Sequence, residues 1–348
     1  MIRIVSSIPI LLIALVVGVN SSFSQSEQLF PVLKANSVMK ESHRAGFIDK
    51  TGALKIGFKF YYASDFSEGL SAILKDKNGK WGYVNENGEV VIETQFEEAA
   101  SFQNGLAKVK KDGKSFFINR EGKKAFEHSY TLYGFKEDVS PASLSGKWGF
   151  VNSAGAVIIP FKFDHANPYY EGLSAVTQGD LLGYIDKAGG WAITPRFDPM
   201  PGYTDPLFLP NFSDGLAVYR NNEKYGFINK EGLTVIPAAF DRAEGFSEGL
   251  GLVKLNEKIG YLKKDGEYAI ALKFDGGQKF SDGLAAVKMK GKWGFIDTAG
   301  ALKIQPQYDA TEPFKDGLAK VTKYDEKNGS TIIAYINKSG RLIYSWKQ

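Results

Sequence analysis

Acidic side chains recur in most repeats of this chain, each directly before a Gly-Leu pair. Paired carboxylates that face each other across a sugar are the catalytic groups of most glycoside hydrolases. Here the carboxylates are mostly about 34 residues apart, so they are spread along the chain, one per repeat. We therefore predict solvated loop positions and no catalytic pair. These residues are Glu68, Glu171, Asp214, Glu248, Asp282 and Asp316.

A second series places Asp or Asn at one fixed position of the repeat. Such a row of oxygens resembles a calcium site, but calcium needs several converging oxygens, usually with carboxylates among them. Most copies carry Asn, and Lys263 replaces the residue in one copy. Because Asp and Asn also cap tight turns, we predict turn capping without a metal ion. The series is Asp49, Asn85, Asn119, Asn152, Asp186, Asn229, Asp297 and Asn337.

Other groups that perform catalysis are sparse. The chain has 3 histidines, His43, His128 and His165, and no cysteine, which excludes disulfide bonds, thiolate metal sites and cysteine nucleophiles. It contains no His-x-x-x-His pair, Gly-x-Ser-x-Gly elbow or phosphate-binding P-loop. We predict a protein without cofactor, metal ion or enzymatic activity; an unrecognised hydrolase is the least favoured alternative.

Charge and composition limit the classes of partner. The 348 residues include 43 basic and 39 acidic side chains, without a long block of either sign. A net charge of +4 gives no reason to expect a nucleic acid or a polybasic membrane contact. Aromatic residues reach 14%, and they recur periodically, as described below.

The first 24 residues have the features of a secretory signal peptide. Arg3 precedes an apolar stretch, residues 8–19, and Ser22 and Ser24 provide small side chains at the −3 and −1 positions of a cleavage site. We predict cleavage before Gln25, no membrane span afterwards, and a mature protein in the periplasm, on the outer surface or secreted. The alternative is an uncleaved anchor, although the apolar stretch is shorter than the roughly 20 residues that a span needs.

Self-similarity with a period of about 34 residues controls the rest of the chain. One glycine closes each copy of a motif, and fixed intervals lead from it to an aromatic residue and then to a Gly-Leu pair. The closing glycines are Gly52, Gly88, Gly122, Gly155, Gly189, Gly232, Gly266, Gly300 and Gly340. The Gly-Leu glycines, which we predict to be structural, are Gly69, Gly105, Gly172, Gly215, Gly249, Gly283 and Gly317.

Alternating apolar and polar residues divide each copy into three β-strands. In one well-preserved copy these are residues 283–288, 293–297 and 302–308. A three-stranded meander cannot bury both of its faces alone, so neighbouring copies must stack.

We therefore predict an all-β protein. Residues 25–44 lead in, with a strand at Phe30–Leu33, and residues 45–348 form an array of about eight three-stranded meanders. We favour an open twisted superhelix, like a solenoid. A closed propeller-like ring is the alternative. We favour it less because propeller blades usually have four strands and about 40 residues, whereas these repeats have three predicted strands and about 34 residues.

The tryptophan of the repeat is another candidate binding group, because a ladder of exposed tryptophans would stack on sugars or cations. Leu182, Tyr225 and Ile259 take its place in other copies. Such an exchange is typical of residues that fill a core, so we predict a structural role. The Trp-Gly pairs are Trp81 and Gly82, Trp148 and Gly149, and Trp293 and Gly294.

With these residues the chain resembles the WG-repeat (KWG) family of β-repeat proteins. Lys80-Trp81-Gly82, Lys147-Trp148-Gly149 and Lys292-Trp293-Gly294 carry the dipeptide, and the resemblance covers about residues 45–345. It implies an exported bacterial repeat protein that serves as an interaction scaffold, without a shared activity or catalytic residues. Two copies depart from the pattern: the third has Ser115-Phe116 in place of Trp-Gly, and the fifth carries an insertion.

The insertion in the fifth copy, within residues 198–211, is the best sequence-based candidate for a binding surface. Insertions in repeat proteins map to loops, often on the binding face. The alternative is that its apolar side chains fold back and cover an irregular core near Trp191. These side chains are Met200, Tyr203, Leu207 and Phe208.

These observations predict a non-catalytic exported scaffold that binds a protein partner in the cell envelope or outside the cell. Its anchors would be aromatic and basic side chains on loops. The alternative is a module that binds carbohydrate or another envelope polymer through exposed tyrosines, namely Tyr169, Tyr170 and Tyr203.

Overall fold

The computed structural model describes residues 28–34, 44–126, 130–198, 200 and 210–347. Within these ranges every regular element is a β-strand, and the strands form nine small antiparallel sheets that follow one another along the chain. The all-β prediction is confirmed. The described residues contain no helix that is long and apolar enough to cross a membrane. The predicted signal peptide lies outside the described residues.

Each sheet is one blade of the fold, and blades 1 to 3 contain the first ten strands. Blade 1 consists of β1 (Phe30–Leu33), β2 (Ala45–Ile48) and β3 (Leu54–Phe60). Blade 2 consists of β4 (Tyr62–Ala63), β5 (Leu70–Leu74), β6 (Trp81–Asn85) and β7 (Val90–Phe96). Blade 3 consists of β8 (Glu98–Ala99), β9 (Ala107–Lys111) and β10 (Lys114–Ile118).

Blades 4 to 6 continue the same order. Blade 4 consists of β11 (Thr131–Leu132), β12 (Val139–Leu144), β13 (Lys147–Asn152) and β14 (Val157–Phe163). Blade 5 consists of β15 (His165–Ala166), β16 (Ser174–Gln178), β17 (Leu181–Ile185) and β18 (Trp191–Phe197). Blade 6 consists of β19 (Leu216–Asn221), β20 (Lys224–Asn229) and β21 (Thr234–Phe240).

Blades 7 to 9 are complete. Blade 7 consists of β22 (Arg242–Ala243), β23 (Gly251–Leu255), β24 (Lys258–Leu262) and β25 (Tyr268–Phe274). Blade 8 consists of β26 (Gly276–Gly277), β27 (Leu284–Met289), β28 (Lys292–Asp297) and β29 (Leu302–Tyr308). Blade 9 consists of β30 (Ala310–Thr311), β31 (Leu318–Asp325), β32 (Ser330–Asn337) and β33 (Leu342–Lys347).

A complete blade therefore has four strands, which we label A to D in chain order, and the prediction of three strands per repeat was wrong. The predicted strands correspond to B, C and D. Strand A has only two residues; in blade 8 it is Gly276–Gly277, and it pairs with strand B at Lys288 and Val287. Such a short segment shows no alternation of apolar and polar residues, so periodicity could not indicate it.

The nine blades close into a propeller ring. The predicted open superhelix of about eight repeats is wrong, and the closed ring given as its alternative is confirmed. Blade 1 contacts blade 9, where the rings of Phe30 and Tyr335 meet at a centroid distance of 5.6 Å. The Tyr335 hydroxyl also donates to the carbonyl of Pro31 at 3.3 Å. Closure buries the apolar faces that the first and last blades of an open array would expose to water.

Aromatic pairs fill the junctions between consecutive blades. Strand C of one blade supplies one ring, and the segment between strands A and B of the next blade supplies the other. Phe295 and Phe314 meet in this way at 4.7 Å and an interplanar angle of 67°, a geometry that adds about 0.5–1.5 kcal/mol to the burial itself. The equivalent pairs are Phe47–Phe66, Tyr83–Phe102, Phe117–Phe135, Phe150–Tyr169, Tyr184–Phe212, Phe227–Phe246 and Tyr261–Phe280.

The glycine of the Trp-Gly pair lets strand D cross close to strand C. A Cβ atom at Gly294 would lie 2.5 Å from the carbonyl oxygen of Ile304, which no side chain can accept. The tryptophan before it contributes to the core to different extents: Trp148 is buried, whereas Trp81 and Trp293 are half-buried.

We expect Phe30→Ala to lower the free energy of unfolding by about 3–5 kcal/mol, the usual cost of truncating a buried phenylalanine. Phe30 is 6% exposed, and its contact with Tyr335 closes the ring. Urea denaturation followed by tryptophan fluorescence measures the change. The control is Leu233→Ala at a side chain that is 62% exposed, where the change should stay below about 0.5 kcal/mol. Equal effects of the two substitutions would contradict the closing role of Phe30.

Candidate functional site at the junction of blades 3 and 4

The acidic residues before Gly-Leu occupy tight hairpin turns at the surface, where four of the six, Glu68, Glu171, Glu248 and Asp316, are exposed, in agreement with the predicted solvated loop positions. In blade 8, Ser281 and Leu284 exchange two backbone hydrogen bonds of 2.9 and 3.2 Å. Asp282 and Gly283 are the two central residues of this turn, with φ angles of 56° and 80°. Two successive positive φ angles define a type I′ turn, which matches the twist of a β-hairpin.

The same carboxylates link consecutive blades. Asp282 of blade 8 accepts a hydrogen bond from the backbone N–H of Gly317 in blade 9 at 2.6 Å, and it forms an ion pair with Lys338 of that blade. The repetition of these carboxylates therefore reflects assembly of the ring. The equivalent links join Glu68 to Gly105, Glu137 to Gly172, Glu171 to Gly215, Asp214 to Gly249, and Glu248 to Gly283.

A second link uses the lysine of the Lys-Trp-Gly motif and the acidic residue that follows strand D. Lys224 Nζ of blade 6 donates to Asp241 Oδ1 at 2.6 Å, and Asp241 Oδ2 accepts from the Asn256 N–H of blade 7 at 2.8 Å. The hydrogen bond from Lys224 is the main cause of a lowered pKa of Asp241. The same link is made by Glu97, Asp164, Asp275 and Asp309.

A third link is a serine two residues before the Gly of Gly-Leu. Ser281 Oγ of blade 8 donates to the backbone carbonyl of Phe314 in blade 9 at 2.7 Å. Because the acceptor is a main-chain atom, the bond fixes the position of the neighbouring blade directly. The equivalent bonds run from Ser67 to Phe102, from Ser213 to Phe246 and from Ser247 to Phe280.

The Asp and Asn series caps the turns between strands C and D, as predicted. Asp49 Oδ1 accepts from the N–H groups of Thr51 and Ala53 at 2.8 and 3.0 Å. Burial by itself would raise the pKa of Asp49, but these hydrogen bonds, one from Thr51 Oγ1 and the nearby Lys55 lower it to about 2. The described residues contain no group of three or more potential metal ligands. In six other copies, one side-chain oxygen likewise accepts hydrogen bonds from two backbone N–H groups of its own turn. The residues are Asn85, Asn119, Asn152, Asp186, Asp297 and Asn337.

Of the predicted binding residues, the three that the structure describes, Tyr169, Tyr170 and Met200, do not form one site. Tyr169, expected on the surface, is fully buried and donates its hydroxyl to the Asp186 carbonyl at 2.8 Å. Met200 is 7% exposed and packs in the core of blade 6 beside Phe227 and Phe240. This placement of Met200 agrees with the alternative in which the insertion covers the core. The remaining residues of the insertion that were named above, Tyr203, Leu207 and Phe208, lie outside the described residues.

The junction of blades 3 and 4 lacks all three polar links among the described residues. Asn104 stands at the position of the turn carboxylate, and Gln103 stands at the position of the serine. Tyr130 directly precedes the A strand of blade 4, where Asp164 precedes the A strand of blade 5. The third copy is therefore one residue short, and a tyrosine occupies the position of the acidic residue. The junctions on either side each retain at least two of the three links.

A pocket near the axis of the ring adjoins this junction. Ser67, Gln103, Lys136 and Tyr170, from blades 2 to 5, contribute to its lining, and its volume is about 350 Å³. Side chains from four successive blades can meet only near the axis of a ring. Lys136 Nζ lies 3.3 Å from the centroid of the Tyr170 ring, a cation–π contact. Burial lowers the pKa of Lys136, and the charge of Glu137 acts in the opposite direction.

A cleft of about 460 Å³ between blades 3 and 4 continues from the pocket, and both are lined by Gln103, Tyr133, Gly134 and Phe135. The combination of an ammonium group, a carboxamide and tyrosine rings can bind polar and aromatic groups of a ligand. Of the pocket residues, Tyr170 was predicted from the sequence, whereas Gln103 and Lys136 were missed. The sequence does contain a signal that could have revealed Gln103 and Lys136. Three successive copies lack the serine that most other copies carry at this position of the repeat.

Seven segments of the chain match the family model described as WG containing repeat, namely residues 46–81, 81–114, 148–181, 183–205, 225–258, 259–293 and 293–327. This is a WG-repeat protein. The matches omit residues 115–147, which include the irregular part of blade 3 and its junction with blade 4. The stretch that the family model does not match is therefore also where the described part of this WG-repeat ring lacks the interblade links.

Comparison with solved structures shows the same fold in one distant protein and a weaker likeness to another. A structure of a eukaryotic initiation factor aligns with a TM-score of 0.64 and 9% identity over 92% of this chain and 96% of that chain. Hsv2 from Kluyveromyces lactis aligns at a TM-score of 0.38 and 8% identity over 81% and 94% of the two chains. The initiation factor shares the fold only, since the sequence identity is so low. No curated protein matches the sequence significantly.

We expect Asp282→Ala to lower the free energy of unfolding by about 1–2 kcal/mol, because a charge-assisted hydrogen bond and a partly exposed ion pair between blades are lost. The matched control is Asp316→Ala in blade 9. Asp316 has a similar positive φ of 53° and makes no such link in the described part of the chain. Urea denaturation of both variants separates the interblade link from the backbone effect of alanine. Equal losses in the two variants would refute the contribution of the link.

We expect Asp49→Asn to remain folded, since Asn caps the same turn in other blades, and to flatten the acid limb of the stability profile. A lowered pKa stabilises the fold above the unfolded value of about 3.9. This contribution disappears as the pH falls towards the folded pKa of about 2. Urea midpoints of wild type and variant between about pH 5 and pH 2 measure the effect. If the urea midpoints of wild type and variant fell in parallel with pH, the predicted contribution of Asp49 would be contradicted.

Proposed function

We propose that this protein is a non-catalytic scaffold, exported by the signal peptide at residues 1–24, that binds a protein partner in the cell envelope or outside the cell. The observation that carries the proposal is the coincidence of two features at one junction. Among the described residues, the three polar links used elsewhere in the ring are absent between blades 3 and 4, and a pocket and a cleft lie there.

The residues that replace the repeat pattern suit recognition better than assembly. Gln103, Lys136 and Tyr170 follow one another around the axis where blades 2, 6, 7 and 8 have serine. Each replacement gives up a hydrogen bond to the next blade and places a larger polar or aromatic group in the pocket. Positions that break the local rules of a fold at a cost in stability are typical of functional sites. Aromatic and basic side chains are also the usual anchors of protein interfaces.

The test is capture of cross-linked partners from the envelope fraction with the mature protein. We compare wild type with the triple variant Gln103→Ser, Lys136→Ser and Tyr170→Ser, which introduces the serine of blades 2, 6, 7 and 8. The matched control is Lys315→Ser, the same position in blade 9. We expect a defined protein to be captured by wild type and by the control and lost from the triple variant. Loss from the control as well, or retention by the triple variant, would contradict the proposed contact.

Carbohydrate binding is the second candidate, and the half-buried rings of Tyr133 and Tyr170 in the pocket favour it. Stacking on such rings with a nearby carboxamide is suitable for a sugar. The same variants, tested for retention on peptidoglycan and on a glycan array, discriminate the two functions. Polymer retention that depends on Tyr170, without a captured protein, would favour carbohydrate binding, and hydrolysis of the polymer would contradict both.

A further inference from the structure

Strand D is the last strand of each complete blade, so its outer side lies on the circumference of the ring. The sheet of blade 7 has the order β22-β23-β24-β25 and ends at β25. Residues 210–347, which contain blade 7 and the blades on either side of it, are described without a gap, and no strand among them pairs with the outer side of β25. Open edges of this kind can pair with a strand of another chain, and proteins commonly protect them with proline or charge.

Most other D strands of the ring carry such protection. The D strand of blade 1 contains Lys55 and Lys59, and that of blade 2 contains Glu93. A bulge opposite the motif glycine is common to the D strands, including β25, and therefore does not distinguish one edge from another. Four D strands, those of blades 4, 5, 6 and 8, contain a proline, which removes a backbone donor from the edge. These prolines are Pro160, Pro195, Pro237 and Pro306.

The centre of β25 has neither proline nor charge. Its sequence is Tyr-Ala-Ile-Ala-Leu-Lys-Phe, and residues 268–272 are uncharged. Ala271 stands at the position of Pro160 and Pro237, directly after a buried isoleucine in all three strands. Because those prolines have no N–H group, pairing with strand C does not require a donor at this position. The N–H of Ala271 is therefore the donor that proline removes from the edges of blades 4 and 6.

Opposite charges at the two ends make the edge of β25 complementary to itself. Glu267 directly precedes the strand, Lys273 lies near its end, and both are exposed. Glu267 contacts Lys263 of its own turn at 2.8 Å, yet its side chain remains 70% exposed. If two copies of β25 pair antiparallel about a two-fold axis at Ile270, Glu267 of each copy lies opposite Lys273 of the other. Opposite charges in such cross-strand pairs are stabilising.

The end charges of blade 9 exclude the same pairing there. Its D strand, β33, also has no proline. An antiparallel pair of two β33 strands in the equivalent register would place Arg341 of one copy opposite Lys347 of the other. Like charges directly opposite each other are destabilising. Among the D strands that the structure describes in full, β25 thus combines an unprotected centre with complementary ends.

We propose that two copies of this protein associate side by side, with β25 of each copy paired antiparallel to β25 of the other. The contact also covers Tyr268, whose side chain is 45% exposed in a single ring. One pair of short strands is a small interface, so the dimer is weak and reversible. The axial pocket is lined by blades 2 to 5, so each ring of the dimer keeps its own pocket. The inference goes beyond the proposed function and does not depend on it.

Analytical ultracentrifugation of the mature chain over a range of concentrations measures the dimer. We expect a monomer–dimer equilibrium for wild type, and Ala271→Pro should weaken it about tenfold or more, because each copy loses a backbone donor. Since blades 4 and 6 carry Ile-Pro at this position, the variant should fold and keep the urea midpoint of wild type. The matched control is Glu93→Pro, the same repeat position in blade 2, which should change the dimer affinity less than about twofold.

Exchange of the end charges tests the register of the pair. Glu267→Lys places like charges opposite each other at both ends of the contact and should weaken the dimer about fivefold or more. The double variant Glu267→Lys and Lys273→Glu restores opposite charges, and its dimer affinity should return to within about twofold of wild type. A double variant that dimerises no better than Glu267→Lys alone would contradict the proposed register.

Amide hydrogen exchange locates the contact in the chain. The Ala271 amide should exchange rapidly in the dilute monomer and become protected in the dimer. Ala271→Lys keeps the N–H group but brings two lysines close to the two-fold axis, so it should also weaken the dimer, and it decides the question if the proline variant does not fold. A wild type that stays monomeric at every concentration, an unchanged dimer of Ala271→Pro, or equal loss in Glu93→Pro would overturn the inference. Protection of the Ala271 amide in the monomer would overturn it as well.

Discussion

Burial of blade faces against one another is the constraint on which the whole ring depends. A small antiparallel sheet has two apolar faces and cannot hide both, so each blade requires a neighbour on either side. In an open array the two terminal faces would remain in water, and closure removes this cost. Tyr335 and Phe30 form the last of the aromatic contacts around the ring. The repetition of aromatic residues along the chain follows from this one requirement.

Polar links determine how each apolar junction is oriented. Apolar contacts are not directional, whereas a carboxylate bonded to a glycine N–H or a serine bonded to a carbonyl holds its partner at a fixed position. Tyrosines of strand C add to this: the Tyr83 hydroxyl donates to the Ala100 carbonyl of the next blade at 2.7 Å. Where Gln103, Asn104 and Tyr130 replace the linking residues, aromatic contact remains, as between Phe117 and Phe135. Within the described residues, the junction of blades 3 and 4 thus keeps its apolar contact without the three polar links.

Local pattern predicted the strands that have an exposed and a buried face. Residues 302–308 were predicted as a strand and form β29, and Phe30–Leu33 forms β1. Closure was not predictable in this way, because the A strands are too short for alternation and β1 was assigned to a lead-in segment. The role of Asp282 was hidden for a different reason: its bonding partner, Gly317, belongs to the next repeat. Tyr169 and Tyr170 are adjacent, yet only Tyr170 lines the pocket, and this difference depends on which side of the A–B segment faces the core.

The links made by the turn carboxylates all run in one direction around the ring. Each carboxylate belongs to the earlier blade and each glycine N–H to the later one, as with Glu248 and Gly283. During synthesis, a blade that has just formed therefore already displays the acceptor for the blade that follows. Contacts of repeat proteins are largely between neighbours, so order can propagate from one unit to the next. Growth of the ring would then be templated from the amino-terminal side, and its last step brings the carboxyl-terminal blade back to the first strand.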